Sequence, residues 1–532
     1  MLSIPKFLKG VGEIKGFLDT EKGATGGLSE NKAMLVGVLL TLGAIAGLAS
    51  SMLSVKIIIP VVLGAFLFVL IYRDLQLGIM LFLIFNLLLP QAGPGINLNI
   101  QTPVGDRGLH FCIHEIIITM VLVAWLIQVF LKKKGWRANS PLMWPVIIFI
   151  LASVFSYLVG LVHGARLLIV VFRLIRTTFF AYIFFVVINN VKTRKQLKRL
   201  VVISLICATI VASFGLLQWA LGQGWAEHFS RTVLDKIGYP KNVNYVAGES
   251  AGKVYRVNST FAHPNVLGAF LVFFLPLIIS LMWCYKRFSA RLLLFAAMII
   301  NLACLYFTGS RAAWIAAVVI AVLYCIFGLL DRRMILAVAV VALLVIMIVM
   351  LVHPPQYVQD RLTGWAANVS TRSKIYQYKE GIALFLQRPF FGLGEGTMGY
   401  QLKMGNLRET WTAVENIFLF YAVSEGVVGL LTFMLIWAFF WGMLLSVWRK
   451  RQMEPFLRYT SEALILGMVG TAVSSLFGAW LLFAIPMLTI WWFYISLGAS
   501  IYNVSLEPGI EPAVEPIKRA GWYSSRPAKS SF

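Results

Sequence analysis

The chain has 532 residues, 59% of them hydrophobic and only 13% charged. That balance leaves too few polar side chains to coat a soluble globule and suits a bundle of membrane helices. A net charge of +24 could suggest nucleic acid, but the Lys and Arg residues are neither gathered on one domain nor set in a recognition motif. They fall at the ends of apolar runs, as topology signals do.

In chain order, residues 1–31 place Ile4, Phe7, Leu8, Val11, Ile14, Phe17 and Leu18 at helical spacing, opposite Lys6, Lys9, Glu13 and Lys15. This predicts an amphipathic helix on the inner leaflet, with a frayed tail as the alternative. A Gly-rich link over 23–29 leads into the first span. That span has no short apolar core followed by a small-residue cleavage site, so it is expected to be retained.

A helix needs about 20 apolar residues to cross a bilayer. The sequence then predicts 14 spans, at 32–51, 53–72, 75–90, 112–131, 142–162, 166–189, 200–222, 266–285, 291–308, 312–330, 334–352, 416–448, 461–480 and 483–503. The expected fold is all-α, a polytopic transmembrane helical bundle with two long extracytoplasmic loops, at about 223–265 and 353–415. Basic loops at 132–134, 192–199, 286–291, 331–333 and 449–451 alternate with loops nearly free of Lys and Arg. This predicts that both termini are cytoplasmic. The domain layout is then a cytoplasmic segment 1–31, a membrane domain 32–503 and a disordered cytoplasmic tail 504–532. No internal repeat of the transporter kind is evident. Cys112, Cys207, Cys284, Cys304 and Cys325 fall inside predicted helices. Their odd number and lack of CxxC spacing point to packing.

Within the second outer loop, 373–387 reads as an amphipathic helix with Ile375, Tyr378, Ile382, Phe385 and Leu386 on one face. It ends at Arg388, because the residue before Pro389 disfavours helical geometry. Gly392, Gly394 and Gly396 follow in FGLGEG. No strand precedes them, so a tight turn folding back onto the membrane is favoured over a dinucleotide fingerprint.

Several polar residues stand where apolar ones are expected. Arg173 and Arg176 lie inside the sixth span, three apart and therefore on one helix face. Each arginine at the centre of a span costs about 2.5–3.5 kcal/mol. The structural reading pairs one of them with Glu425 or Glu115. The functional reading is a cationic pocket open to the outer face and suited to a lipid-linked phosphate. Arg311, in TGSRAAW, begins a helix after a turn, where helix dipole and guanidinium together suit phosphate oxygens. An interfacial anchor is the alternative. Arg256 precedes NSTFAHPN in the other outer loop and can join it.

Glu415 and Asn416 open the twelfth span, and Glu425 lies ten residues further on. A carboxylate at the mouth of a cationic pocket can serve as general base toward a hydroxyl. On the residues alone, Glu415 serves equally well as a helix-start charge. His263, followed by Pro264, reads first as a turn residue and second as a base. No outer loop holds HExxH or paired carboxylates at metal-ligand spacing, so a site needing no metal or other cofactor is the simpler expectation.

The run STFAHPNVLGAFLVFFLP, the TGSRAAW turn, SKIYQYKEGIALFLQRPFFGLGEG and ENIFLFYAVSEGVVGLLTFM together resemble the O-antigen ligase and O-antigen polymerase superfamily, over roughly 166–448. The resemblance implies a GT-C type, inverting glycosyltransferase of the bacterial cytoplasmic (inner) membrane. Its donor would be an undecaprenyl-diphosphate-linked glycan and its acceptor a glycan or lipid, with membrane lipids, a chain-length regulator and a flippase as partners. Arg311, Arg256 and one or both of Arg173 and Arg176 would hold the diphosphate. Ligases of the family carry a histidine just before the asparagine that begins the twelfth-type helix, and this chain has Glu415 there. That departure tilts the expectation from ligase toward polymerase. A transporter or flippase for lipid-linked glycan would also want a cationic cavity. Against it stand two large one-sided loops and the missing repeat symmetry. A non-catalytic scaffold would leave the membrane-buried arginines unexplained.

Overall fold

The computed structural model describes residues 55–93, 95–96, 101–102, 105–106, 109–110, 112–132, 140–164, 167–239, 255–330, 369–394, 414–478 and 485–507. The predicted spans at 32–51 and 334–352, the N-terminal segment and the C-terminal tail beyond residue 507 lie outside them, and helix continues two residues into the predicted tail, to Ser505. The other predicted spans each fall on a helix. These are α1 (Val55–Arg73), α2 (Leu75–Leu88), α3 (Ile113–Lys132), α4 (Met143–Val162), α5 (Leu167–Asn190), α6 (Arg194–Phe229), α7 (Pro264–Cys284), α8 (Phe288–Phe307) and α9 (Arg311–Leu330). After the amphipathic α10 (Val369–Gln387) come α11 (Ile417–Arg449), α12 (Pro455–Ser475) and α13 (Ile485–Ser505). Among the described residues 7 helices are long and apolar enough to cross a membrane, and the chain is an all-α polytopic membrane protein. Helix α1 belongs to one compact unit, which ends at Asp74, and the described residues from Leu75 on form a second.

Between α2 and α3, where no strand was expected, two short antiparallel ladders form. Gly95–Ile96 (β1) pairs Leu109–His110 (β4), and Gln101–Thr102 (β2) pairs Gly105–Asp106 (β3). These are hairpin turns and add no layer to the fold.

Helix α7 lies at the centre of the second unit, packed by α8, α9 and α12 and buried almost continuously from Val266 to Leu281. Small residues set those spacings, as expected where helices meet in a membrane. A Cβ on Gly268 would meet Ser310 and Ala313, and one on Gly470 would meet Val272 and Ile320. The Tyr494 hydroxyl donates to the Phe273 carbonyl at 3.2 Å, three residues before Pro276 inside α7.

Two helices depart from expectation. Helix α6 starts at a Thr193 capping box and does not stop at residue 222. Gly222 takes φ 80°, ψ 173°, and helix resumes to Phe229. It then tightens through Ser230–Leu234 and Asp235–Ile237. The first stretch of the predicted outer loop is therefore helical. Helix α11 is broken at Gly426 (φ 69°, ψ −166°), straight after Glu425. An unbroken helix would bond Val427 N–H to Val423 and Val428 N–H to Ser424. Here Leu393 and Gly394 N–H donate to Val423 and Ser424 at 2.9 Å each, and Val427 and Val428 N–H donate to Pro389 and Phe390 at 2.7 and 3.3 Å. The segment from Pro389 to Gly394 supplies partners for these four groups, which is what permits irregular backbone inside an apolar bundle.

Glycine is required at this junction. Gly394 has φ 86°, and a Cβ there would lie 2.2 Å from the Gly160 nitrogen on α4. Gly394→Ala is expected to lose about 1–3 kcal/mol from the backbone conformation alone, with the clash in addition. Thermal unfolding in detergent should show a clearly lower Tm. An unchanged Tm would mean that this packing does not stabilise the fold.

Two of the basic loops predicted as cytoplasmic, 192–199 and 286–291, meet the segment that follows residue 449 at one end of the second unit. Arg194 pairs with Glu454, Lys198 sits 5.4 Å over the Tyr285 ring, and Arg291 Nε donates to the Tyr285 carbonyl at 2.7 Å. The start of α7, the turn before α9, α10 and the start of α11 lie at the opposite end.

Candidate active site

The arginine turn is built first by the ends of α8 and α9. Gly309 takes φ 58°, which lets the chain reverse between Phe307 and Arg311. Ser310 N–H donates to Thr308 Oγ1 at 3.3 Å, and the Trp314 indole N–H donates back to the Leu305 carbonyl at 3.1 Å. Trp314 also stacks on Tyr306, with centroids 6.0 Å apart and planes at 16°. Arg311 is the first residue of α9, so a rigid turn presents it at a helix N-terminus. That location favours negative charge.

The end of the first predicted outer loop, from Tyr255 on, meets this turn. Val257 N–H donates to the Phe307 carbonyl at 3.2 Å. Arg256, 5% exposed, donates through Nε to the Thr308 carbonyl at 2.8 Å and through a terminal nitrogen to Asn265 Oδ1 at 2.5 Å. Arg256 is thus a brace between the loop, the start of α7 and the turn carrying Arg311, as well as a buried positive charge beside it. His263 is the N-cap of α7, its Nδ1 accepting from Asn265 N–H at 3.0 Å. The turn reading of His263 therefore describes its place.

A second cluster gathers where α10 meets α11 and the end of α12. Asn416 caps α11, its Oδ1 accepting from Phe418 and Leu419 N–H at 3.0 and 3.1 Å. Capping is therefore Asn416's role, and Glu415 beside it carries a different partner. Glu415 Oε2 is 2.8 Å from Lys374 Nζ, and its N–H donates to Gln377 Oε1 at 2.9 Å. Lys374 also donates to the Phe477 carbonyl and the Tyr378 hydroxyl to that of Leu476. Burial pushes the Tyr378 phenol up. A hydrogen bond with Asn416 opposes that shift, and the Glu415 charge adds to it.

The two clusters belong to the same end of the bundle. From the level where Gly470 meets Val272 and Ile320, α12 runs to Phe477 while α7 and α9 run back to Pro264 and Arg311. Glu425 lies apart from both, 5% exposed at the α11 break. Its carboxyl occupies space left open by Gly429, whose Cβ would come 2.5 Å from Oε2. The carboxylate also faces the start of the second half of α11, a favourable place for negative charge. Arg173 and Arg176 fall within α5, and their side chains lie outside the described residues. Helix α5 packs against α13 and α4.

Sequence reasoning missed Lys374 and Gln377, and it placed Tyr378 on an apolar face. The signal was present, since Lys374 and Tyr378 are four apart and share a face on a helix. Only the fold reveals that this face meets carbonyls at the end of α12.

At one end of the bundle stand two clusters, one with a buried arginine and an arginine at a helix start, the other with a carboxylate held by a lysine. Such a set can neutralise a polyanion and accept a proton. No curated protein matches the chain. Residues 296–434, which include Arg311, Glu415, Asn416 and Glu425, match the O-antigen ligase family model. That match supports a glycan-transferring, O-antigen ligase- or polymerase-like role and is consistent with the O-antigen ligase and polymerase superfamily.

Proposed function

We propose that the chain polymerises undecaprenyl-diphosphate-linked oligosaccharide repeat units into polysaccharide at the outer face of the bacterial cytoplasmic membrane. The observation that carries this reading is the carboxylate at position 415, oriented by Lys374 at 2.8 Å, at the same end of the bundle as the Arg256–Arg311 turn. In the proposed reaction Arg311 and Arg256, with Arg173 and Arg176 from α5, neutralise the donor diphosphate. An acceptor sugar hydroxyl gives its proton to Glu415 and attacks the anomeric carbon from the face opposite the diphosphate. The new C–O bond forms as the bond to the phosphate oxygen breaks, and lipid diphosphate leaves with inversion at carbon. Arginine can neutralise the leaving group directly, so no metal ion is required.

The second reading, ligation of a finished glycan to a lipid acceptor, uses the same donor site. The glutamate in place of the ligase-type histidine favours polymerisation. Purified protein supplied with lipid-linked repeat units is expected to transfer glycan undiminished in excess EDTA. Loss of transfer on chelation, restored by a divalent cation, would remove arginine as the sufficient counter-charge. A chain-length regulator and a flippase are the expected partners, and the Lys/Arg bias of the loops supports a cytoplasmic location for both termini.

A further inference from the structure

The outer half of α6 carries polar side chains that the transfer reaction does not use. Beyond the Gly222 break, Gln223 Nε2 donates to Glu227 Oε1 at 2.7 Å, and Glu227 Oε2 is 3.8 Å from the exposed Arg231. Just before the break, Trp219 is 48% exposed, with one face stacked on Phe307 at 4.0 Å and 24°. Phe307 in turn bonds the first outer loop through Val257, two residues from Tyr255. Burial, followed by the nearby Glu227 charge, pushes the Tyr255 phenol up to about 12. Gln223 and Glu227 thus bond each other just past the break, while Trp219 reaches the segment that carries Tyr255 through Phe307 and Val257, next to Arg256 and the turn that carries Arg311. Trp225 does a different job, packed with Phe214 and Phe229.

An indole with one face supported and the other available suits the apolar C–H face of a pyranose. An amide and a carboxylate beside it suit paired hydroxyls, which both donate and accept. We propose that Trp219, Gln223, Glu227 and Tyr255 form a carbohydrate subsite that seats a sugar unit of the glycan next to the diphosphate-binding turn. The proposal rests on the lipid-diphosphate reading for its place in the reaction, but the subsite can be tested alone. Gly222 gives the subsite its shape, because a continuous helix would carry Gln223 and Glu227 along the membrane face.

The test uses full-length protein in detergent and two separate probes. One is the free oligosaccharide released from the lipid carrier by mild acid, and the other is undecaprenyl diphosphate without sugar. Trp219→Ala and the double variant Gln223→Ala with Glu227→Gln are each expected to bind the oligosaccharide about tenfold more weakly, equivalent to about 1.4 kcal/mol. Both should bind undecaprenyl diphosphate as the wild type does, and that binding also shows that the variants are folded. Trp219→Phe, which keeps an aromatic face, is expected to recover most of the oligosaccharide affinity.

Equal oligosaccharide binding by wild type and variants would overturn the subsite, leaving Trp219 as an interfacial anchor. So would wild-type protein that binds undecaprenyl diphosphate but no oligosaccharide. The reverse result, oligosaccharide bound through Trp219 but no undecaprenyl diphosphate, would uphold the subsite and sink the lipid-diphosphate reading.

Discussion

Glu415→Gln is expected to lower glycan transfer by about 10²–10⁴-fold, the usual contribution of a positioned general base, with donor binding nearly unchanged. The amide keeps the size of the side chain and can still accept from Lys374, which lies 2.8 Å from Oε2 and also bonds the Phe477 carbonyl. The local structure should therefore persist. Helix capping is not at stake, because Asn416 caps α11. Loss of the ion pair itself is worth little, since both partners are partly exposed, at 22% and 31%. Glu415→His should retain part of the turnover, because imidazole can accept the same proton. Near-normal turnover in the Gln variant would remove Glu415 as base and leave Glu425 or His263 as the next candidates. Glu425 lies at the α11 break, and His263 uses Nδ1 to cap α7.

Arg311→Lys is expected to lower transfer on the order of 10²-fold, the scale of losing one well-placed transition-state donor. The charge is kept, but an ammonium cannot present two parallel donors to a phosphate. The turn holding Arg311 is fixed independently, by Gly309, Thr308 Oγ1 and the Trp314 indole. The variant should therefore fold with wild-type yield, and donor affinity should fall together with turnover. A Lys variant that transfers glycan normally would make Arg311 an interfacial anchor. Arg256 offers a useful contrast. Its side chain braces Thr308 and Asn265, so its loss should lower stability as well as activity.

The helices were legible because apolar length is a strong one-dimensional signal, and the described helices track the predicted spans closely from 53 onward. The failures came where a break had to be satisfied by a partner distant in sequence. An isolated glycine at 426 in an apolar run resembles any packing glycine. Its meaning depends on Pro389 and Phe390, which accept from Val427 and Val428, and on Leu393 and Gly394, which donate to Val423 and Ser424. Gly222 was read as the end of a span because polar residues follow it, yet the helix resumes around Gln223 and Glu227.

At the candidate site, the sequence puts Arg311 and Glu415 at helix starts and Arg256 in the preceding loop, and the structure has them there. Charge could not tell a brace from a ligand, nor Asn416 the cap from its neighbour. Lys374 went unnoticed because a lysine on an amphipathic helix is ordinarily solvated, and only α12 ending at Leu476 and Phe477 gives it a purpose.

The most direct measurement is glycan length after purified protein in liposomes meets an undecaprenyl-diphosphate-linked single repeat unit. The account predicts a ladder of longer chains still attached to the lipid carrier, with free undecaprenyl diphosphate released for each unit added. It predicts no ladder with the Glu415→Gln protein. Glycan of unchanged length, moved from one leaflet of the liposome to the other, would contradict it and identify a transporter instead.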